Sequence, residues 1–161
     1  MFSVSLGILS FLVASSSFAS LGQGLSSIQA NAKEIHAKLH KSSSRNFQGA
    51  QSPRLSESNE VQTYSLTSEM NEVQQHLDPQ GIVFAITWQG LNHPDLSRLL
   101  GSYFKDYSVA DAEVKGSRGQ SLKRIATSQL VVEKGGHMGA VHGIAYLVNS
   151  VPPGVEIDQL K

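Results

Sequence analysis

Cysteine is absent from the 161 residues. That excludes disulfides, thiolate metal sites, a cysteine nucleophile and a lipidated cysteine. Charge is also in short supply. Lys plus Arg and Asp plus Glu count 13 each, and charged residues make up 16% of the chain, against roughly 25% in an average soluble domain. A net charge near zero argues against a nucleic-acid binder, which carries a basic stripe. It argues equally against a polybasic anchor on an anionic membrane. No run of like charge marks an interaction tail, and no internal repeat is visible. Ser, Gln and Asn supply much of the polar surface instead.

What is present begins with a leader. Residues 1–19 read MFSVSLGILSFLVASSSFA. Leu6 to Ala14 form an apolar core of signal-peptide length, too short to span a bilayer comfortably. Ser17 and Ala19 place small residues where a signal peptidase reads. Cleavage after Ala19 is expected, although no Lys or Arg precedes the apolar core.

A helical segment is expected over 20–41. Within it Ile28, Ala32, Ile35 and Leu39 recur at spacings of three and four and make one narrow apolar stripe. Residues 42–58, SSSRNFQGAQSPRLSES, are Ser-rich and aperiodic and read as a flexible linker. From 59 to 150 the signal is that of an α+β domain. VQTYSLT (61–67), NEVQQHL (71–77) and GIVFAITW (81–88) read as a three-stranded meander. In the third strand Ile82, Phe84, Ile86 and Trp88 are expected on one face, and the other face is also mostly apolar, as suits a central strand. Pro94 and Asn92 suit the start of a short helix whose Leu96, Leu99 and Leu100 form a patch, with Gly101 as its stop. ADAEVKGSRGQSLKR (110–124) reads as an exposed loop. SQLVVEK and GAVHGIAYLV read as a C-terminal hairpin, and 151–161 as an irregular tail. The expectation is thus a small antiparallel sheet of about five strands, carrying an N-terminal helix and one short helix.

Few residues look like chemistry. In GGHMGAVHG (135–143) His137 and His142 lie five apart. On a helix that spacing separates them by about 140°, and on one continuous strand it puts them on opposite faces. Only a bend at the glycines could join them on a metal, with Glu133 as the nearest third ligand. A glycine-rich hairpin with one packed and one exposed histidine is the preferred reading. His93, beside Asp95, would need a nucleophile within hydrogen-bond reach, and no Gly-x-Ser-x-Gly elbow is present. Asp95 suits the first turn of a helix instead. No catalytic residue and no cofactor is assigned. Trp88, Tyr103, Phe104 and Tyr107 form an aromatic cluster that either packs the helix onto the sheet or, together with His137, offers a ligand platform.

Two blocks, PQGIVFAITWQGLNHPDLSRLLGSYFKDY and LVVEKGGHMGAVHGIAYLVNSVPPGV, carry a family resemblance. With Tyr64 and Leu66 ahead of them, Pro79 to Trp88, Pro94 to Phe104 and Gly135 to Met138 together resemble the bacterial family DUF2844, over nearly all of the mature chain. The resemblance implies an exported protein of Gram-negative bacteria and implies no activity. The expected function is a non-enzymatic module of the periplasm, or a secreted one. It would bind a partner protein, a peptide or a small ligand, with no nucleic acid and no membrane span once the signal is removed. The alternative is an exported hydrolase or metal-dependent enzyme using His137 and His142, or His93.

Overall fold

The computed structural model describes residues 21–34, 38–46, 60–114 and 122–161. The leader and residues 47–58 of the expected linker lie outside them. The elements run α1 (Leu25–Glu34), β1 (Lys38–Asn46), β2 (Glu60–Thr67), β3 (Asn71–Leu77), β4 (Val83–Gly90), α2 (Leu96–Leu100), α3 (Phe104–Glu113), β5 (Leu122–Ala126), β6 (Leu130–His137) and β7 (Ala140–Leu147). The seven strands form one antiparallel sheet in the order β1-β2-β3-β4-β7-β6-β5. Two meanders, β1 to β4 and β5 to β7, meet along the β4–β7 seam.

The fold is therefore mostly β, with seven strands where about five were expected. β1 takes residues from both the expected helix and the expected linker. Lys38 to Asn46 pair with Thr67 to Glu60 of β2. That ladder satisfies the backbone of the segment, whereas a narrow, Ala-rich stripe gives only weak support to a helix. β5 lies in what read as the 110–124 loop, because Ile125 is its only buried residue and one apolar position makes no visible alternation. The same stretch begins as helix, since α3 continues to Glu113. Gly101, read as a stop, turns at φ 52° between α2 and a single 3-10 turn that leads into α3. Asp95 caps α2 by accepting a hydrogen bond from the Ser97 N–H.

The two faces of the sheet are covered differently. One packs against the helices: Leu66, Leu77, Val83, Ile86, Val132 and Ala145 meet Ile28 of α1, Leu99 and Leu100 of α2, and Tyr107 of α3. Residues ahead of α1 reinforce this layer by pairing with β4, Gly22 N–H donating to the Val83 carbonyl and Val83 N–H to that of Gln23. The second face carries Val61, Phe84, Ala85 and Ile144 and is partly closed by Val155 and Leu160. The tail is thus less irregular than expected. It includes a 3-10 turn, Ile157–Leu160, whose Leu160 is buried.

Phe84 departs from the expected alternation. The β3–β4 register slips between His76 and Leu77, which pair with Ala85 and Val83. Phe84 is the extra residue of this bulge. It turns to the second face with Ala85, and Val83, which alternation puts opposite Ile86 and Trp88, joins them on the helical face.

Candidate functional site

The aromatic cluster is structural. Trp88 is 3% exposed and Tyr107 5%, both inside the helical-face core, with Tyr103 and Phe104 packed half-buried against it. Phe104 and Tyr107 stack at a ring separation of 6.0 Å. The Trp88 indole N–H donates to His93 Nδ1 at 3.1 Å. Trp88 also explains Gly143, its cross-strand neighbour. A Cβ at Gly143 would collide with the indole and with the Glu133 carbonyl. These residues fasten helix to sheet, and Trp88 also borders the groove described below.

A polar cluster closes the edge of this layer. Asp111 takes ion pairs from Lys123 at 3.0 Å and Lys134 at 3.3 Å. Lys134 donates to the Tyr107 hydroxyl at 2.6 Å, and that hydroxyl donates to Asp111 at 3.1 Å. Burial pushes the Asp111 carboxyl up, but the Lys123 hydrogen bond and the Lys134 charge outweigh it and leave the group below its ordinary value. Burial likewise opposes the Lys134 charge, yet its bond to Tyr107 and the nearby Asp111 raise it overall. Burial, followed by the charges of Lys134 and His142, lowers His93.

His137 and His142 lie in the expected hairpin, but both are exposed where one was expected to be packed. The hairpin register sets His137 against Ala140 and His142 against Gly135. A turn reverses the chain, and partners in a ladder share a face, so both histidines fall on one side. The third ligand is already engaged. Glu133 is clamped by Arg124 at 3.2 Å and by Lys161 at 2.9 Å. Among the described residues no group of three His, Asp or Glu side chains is placed to hold a metal ion. His137 stays exposed at the tip, its Nδ1 3.2 Å from the Met138 carbonyl.

The concave feature lies on the second face. A groove of about 600 Å³ is bounded by Thr63, Glu72, Gln74, His76, Thr87 and Gln89 of the first meander. Glu133, His142, Ile144 and the tail residues Gln159, Leu160 and Lys161 close the other side. Strand alternation puts Glu72, Gln74 and His76 on this face together. Read from sequence, such a polar strand face means only a face turned to water. What the sequence could not show is that the tail folds back to wall the face in.

Two arrangements stand out in the groove. His76, 3% exposed, lies between two hydroxyls, with Nδ1 3.1 Å from Thr63 Oγ1 and Nε2 3.2 Å from Thr87 Oγ1. The connectivity is that of hydroxyl, base and orienting group. However, the orienting group is a neutral hydroxyl that cannot balance an imidazolium, and Thr87 sits in β4 with strands on both sides. Its neighbouring N–H groups are spent on the ladders and cannot form an oxyanion hole. The trio satisfies a buried histidine. Glu72 is the second arrangement. Ser65 Oγ and Gln74 Nε2 donate to its Oε1 at 2.8 and 3.1 Å, and Gln89 Nε2 to its Oε2 at 3.0 Å. The Gln89 bond, then those of Ser65 and Gln74, lower its carboxyl below the usual value.

Glu72 and Glu133 line the same groove but are held by separate partners. The register runs from Glu72 through Gln89 and His142 to Gly135, three strand spacings of about 4.8 Å each.

Residues 17–160 match the model of the family described as Protein of unknown function (DUF2844). The chain belongs to this family. Neither a curated protein nor a solved structure matches it. The DUF2844 match takes in every described strand and helix, and with them the whole groove apart from Lys161.

Proposed function

We infer that this DUF2844 protein is an exported component of the bacterial envelope, acting as a non-enzymatic binding module whose ligand enters the second-face groove. Export rests on the leader at 1–19. Among the described residues no helix is long and apolar enough to cross a membrane. The observation that carries the binding reading is the groove itself. Its volume of about 600 Å³ falls in the range that small-molecule sites occupy. Its walls combine Val61, Ile144 and Leu160 with hydrogen-bonding side chains, which suits a ligand of mixed character.

Two measurements test this reading. N-terminal sequencing of the protein recovered from the periplasm or medium should begin at Ser20; an intact Met1 would defeat the export half. A small-molecule thermal-shift screen should find ligands that raise the melting temperature. Those ligands should lose their effect when His142→Trp fills the groove. Stabilisation that survives the filled groove would place binding elsewhere.

A further inference from the structure

The two carboxylates of the groove are not equivalent. Glu133 is neutralised by Arg124 and Lys161. Glu72 forms no ion pair with any described residue, and its three donors, Ser65, Gln74 and Gln89, are all neutral. An amide that gives its N–H to a carboxylate keeps its carbonyl oxygen as an acceptor. The wall around Glu72 is therefore rich in acceptors and, among the described residues, carries one negative charge with no ion-pair partner. His142 stands next to it across β4, paired in register with Gln89, and is exposed to the same groove. A polyol would bring donors too, but it usually also wants an aromatic face to stack on. Among the described residues lining the groove the only large aromatic ring is Trp88, and its indole is engaged in the opposite layer by His93.

We propose that the groove binds a small organic cation bearing N–H donors, a primary ammonium or guanidinium, with its charged head on Glu72 and its carbon chain along Ile144 and Leu160. The proposal rests on the binding-module reading above and specifies its ligand. Charge-assisted hydrogen bonds to a carboxylate already fixed by its neighbours form at little ordering cost. Carbonyl oxygens of Gln74 and Gln89 can take the remaining N–H groups of the head.

The test is an NMR titration of the full mature chain with n-butylammonium, and in parallel with tetramethylammonium and methyl glucoside. Butylammonium should move the amide resonances of Glu72, Gln89 and His142. Its affinity should fall about tenfold or more in Glu72→Gln, the loss expected for a charged hydrogen bond. Tetramethylammonium, equally charged but without N–H, should bind at least as weakly as that variant does. If Glu72→Gln melts early, the wild type still decides: affinity for butylammonium must drop several-fold on going to about 1 M salt, where screening acts within about 3 Å. Equal binding of both cations, or binding insensitive to Glu72 and to salt, overturns the proposal. Methyl glucoside moving these resonances while butylammonium does not overturns it too, and leaves the binding-module reading standing. If none of the three moves them, the proposal falls, and the thermal-shift screen alone then bears on the wider reading.

Discussion

Phe84 and Ile86 are two residues apart on the central strand, and regular alternation would place them side by side. The bulge separates them onto opposite faces, Phe84 with Ile144 and Ile86 with Val132 and Ala145. A double-mutant cycle reads this directly. Phe84 is fully buried, so Phe84→Ala should cost about 3–5 kcal/mol, lowering Tm by roughly ten degrees at about 2–4 °C per kcal/mol. Ile144→Val and Ile86→Val, each removing one methyl from a buried site, should cost about 0.5–1.5 kcal/mol each. Combined with Phe84→Ala, Ile144→Val should deviate from additivity by about 0.5 kcal/mol or more, because the two side chains belong to one packed cluster. Ile86→Val should add to Phe84→Ala within about 0.3–0.5 kcal/mol. Urea denaturation at neutral pH supplies all six free energies. Coupling between Phe84 and Ile86, with additivity between Phe84 and Ile144, would refute the bulge and the facing of β4 built on it.

Other outcomes follow from the polar contacts. Gly143→Ala should destabilise by about 1–3 kcal/mol through overpacking against Trp88; an unchanged urea midpoint would mean that the indole does not lie there. Asp111→Asn should be destabilising near neutral pH, and its deficit should fade in acid. A carboxyl depressed in the folded state stabilises above its unfolded value and loses that contribution as pH falls through the folded one. A deficit constant from neutrality to strong acid would contradict the Lys123–Asp111–Lys134 assignment. The single tryptophan reports on His93, whose Nδ1 accepts the indole N–H only while unprotonated. Trp88 fluorescence should change as pH falls through a titration lying below the ordinary imidazole value, and His93→Gln should abolish the transition. His137→Ala should shift stability by no more than about 0.5 kcal/mol, since the side chain is exposed; a larger loss by thermal melting would make it a packed residue.

The parts of the fold that were legible in sequence are those where local pattern and tertiary need agree. β2, β3, β4 and the β6–β7 hairpin carry alternation and turn residues, and they appear within a few positions of where periodicity puts them. β1 and β5 are edge strands. An edge strand buries little, so its sequence need not alternate, and its assignment comes from the neighbour it pairs with. The bulge at Phe84 is silent for a related reason: both faces of β4 are apolar, so a slip of one residue costs the hydrophobic pattern nothing. The site was half visible. Spacing alone could align Glu72, Gln74 and His76. It could not supply Lys161, Leu160 and Gln159, which reach the groove only through the return of the tail, nor show that the aromatic cluster turns inward. The His137–His142 hairpin was legible in its glycines, and its turn is what reverses the parity counted along one strand.

The seam between the meanders has a consequence for how the chain assembles. β1 to β4 and β5 to β7 are each stitched by contacts between neighbours in sequence, which close quickly. β4 and β7 join residues as distant as Ile86 and Ala145, and that closure carries the larger loop entropy. Until it forms, each half presents an open strand edge, with Ile86 on one side and Ala145 on the other awaiting the same core. The seam is thus where the growing chain is most exposed to mispairing with a second copy. The α2–α3 crossover, which carries Leu100 and Tyr107 into that core, acts as the tether that keeps the correct partner close.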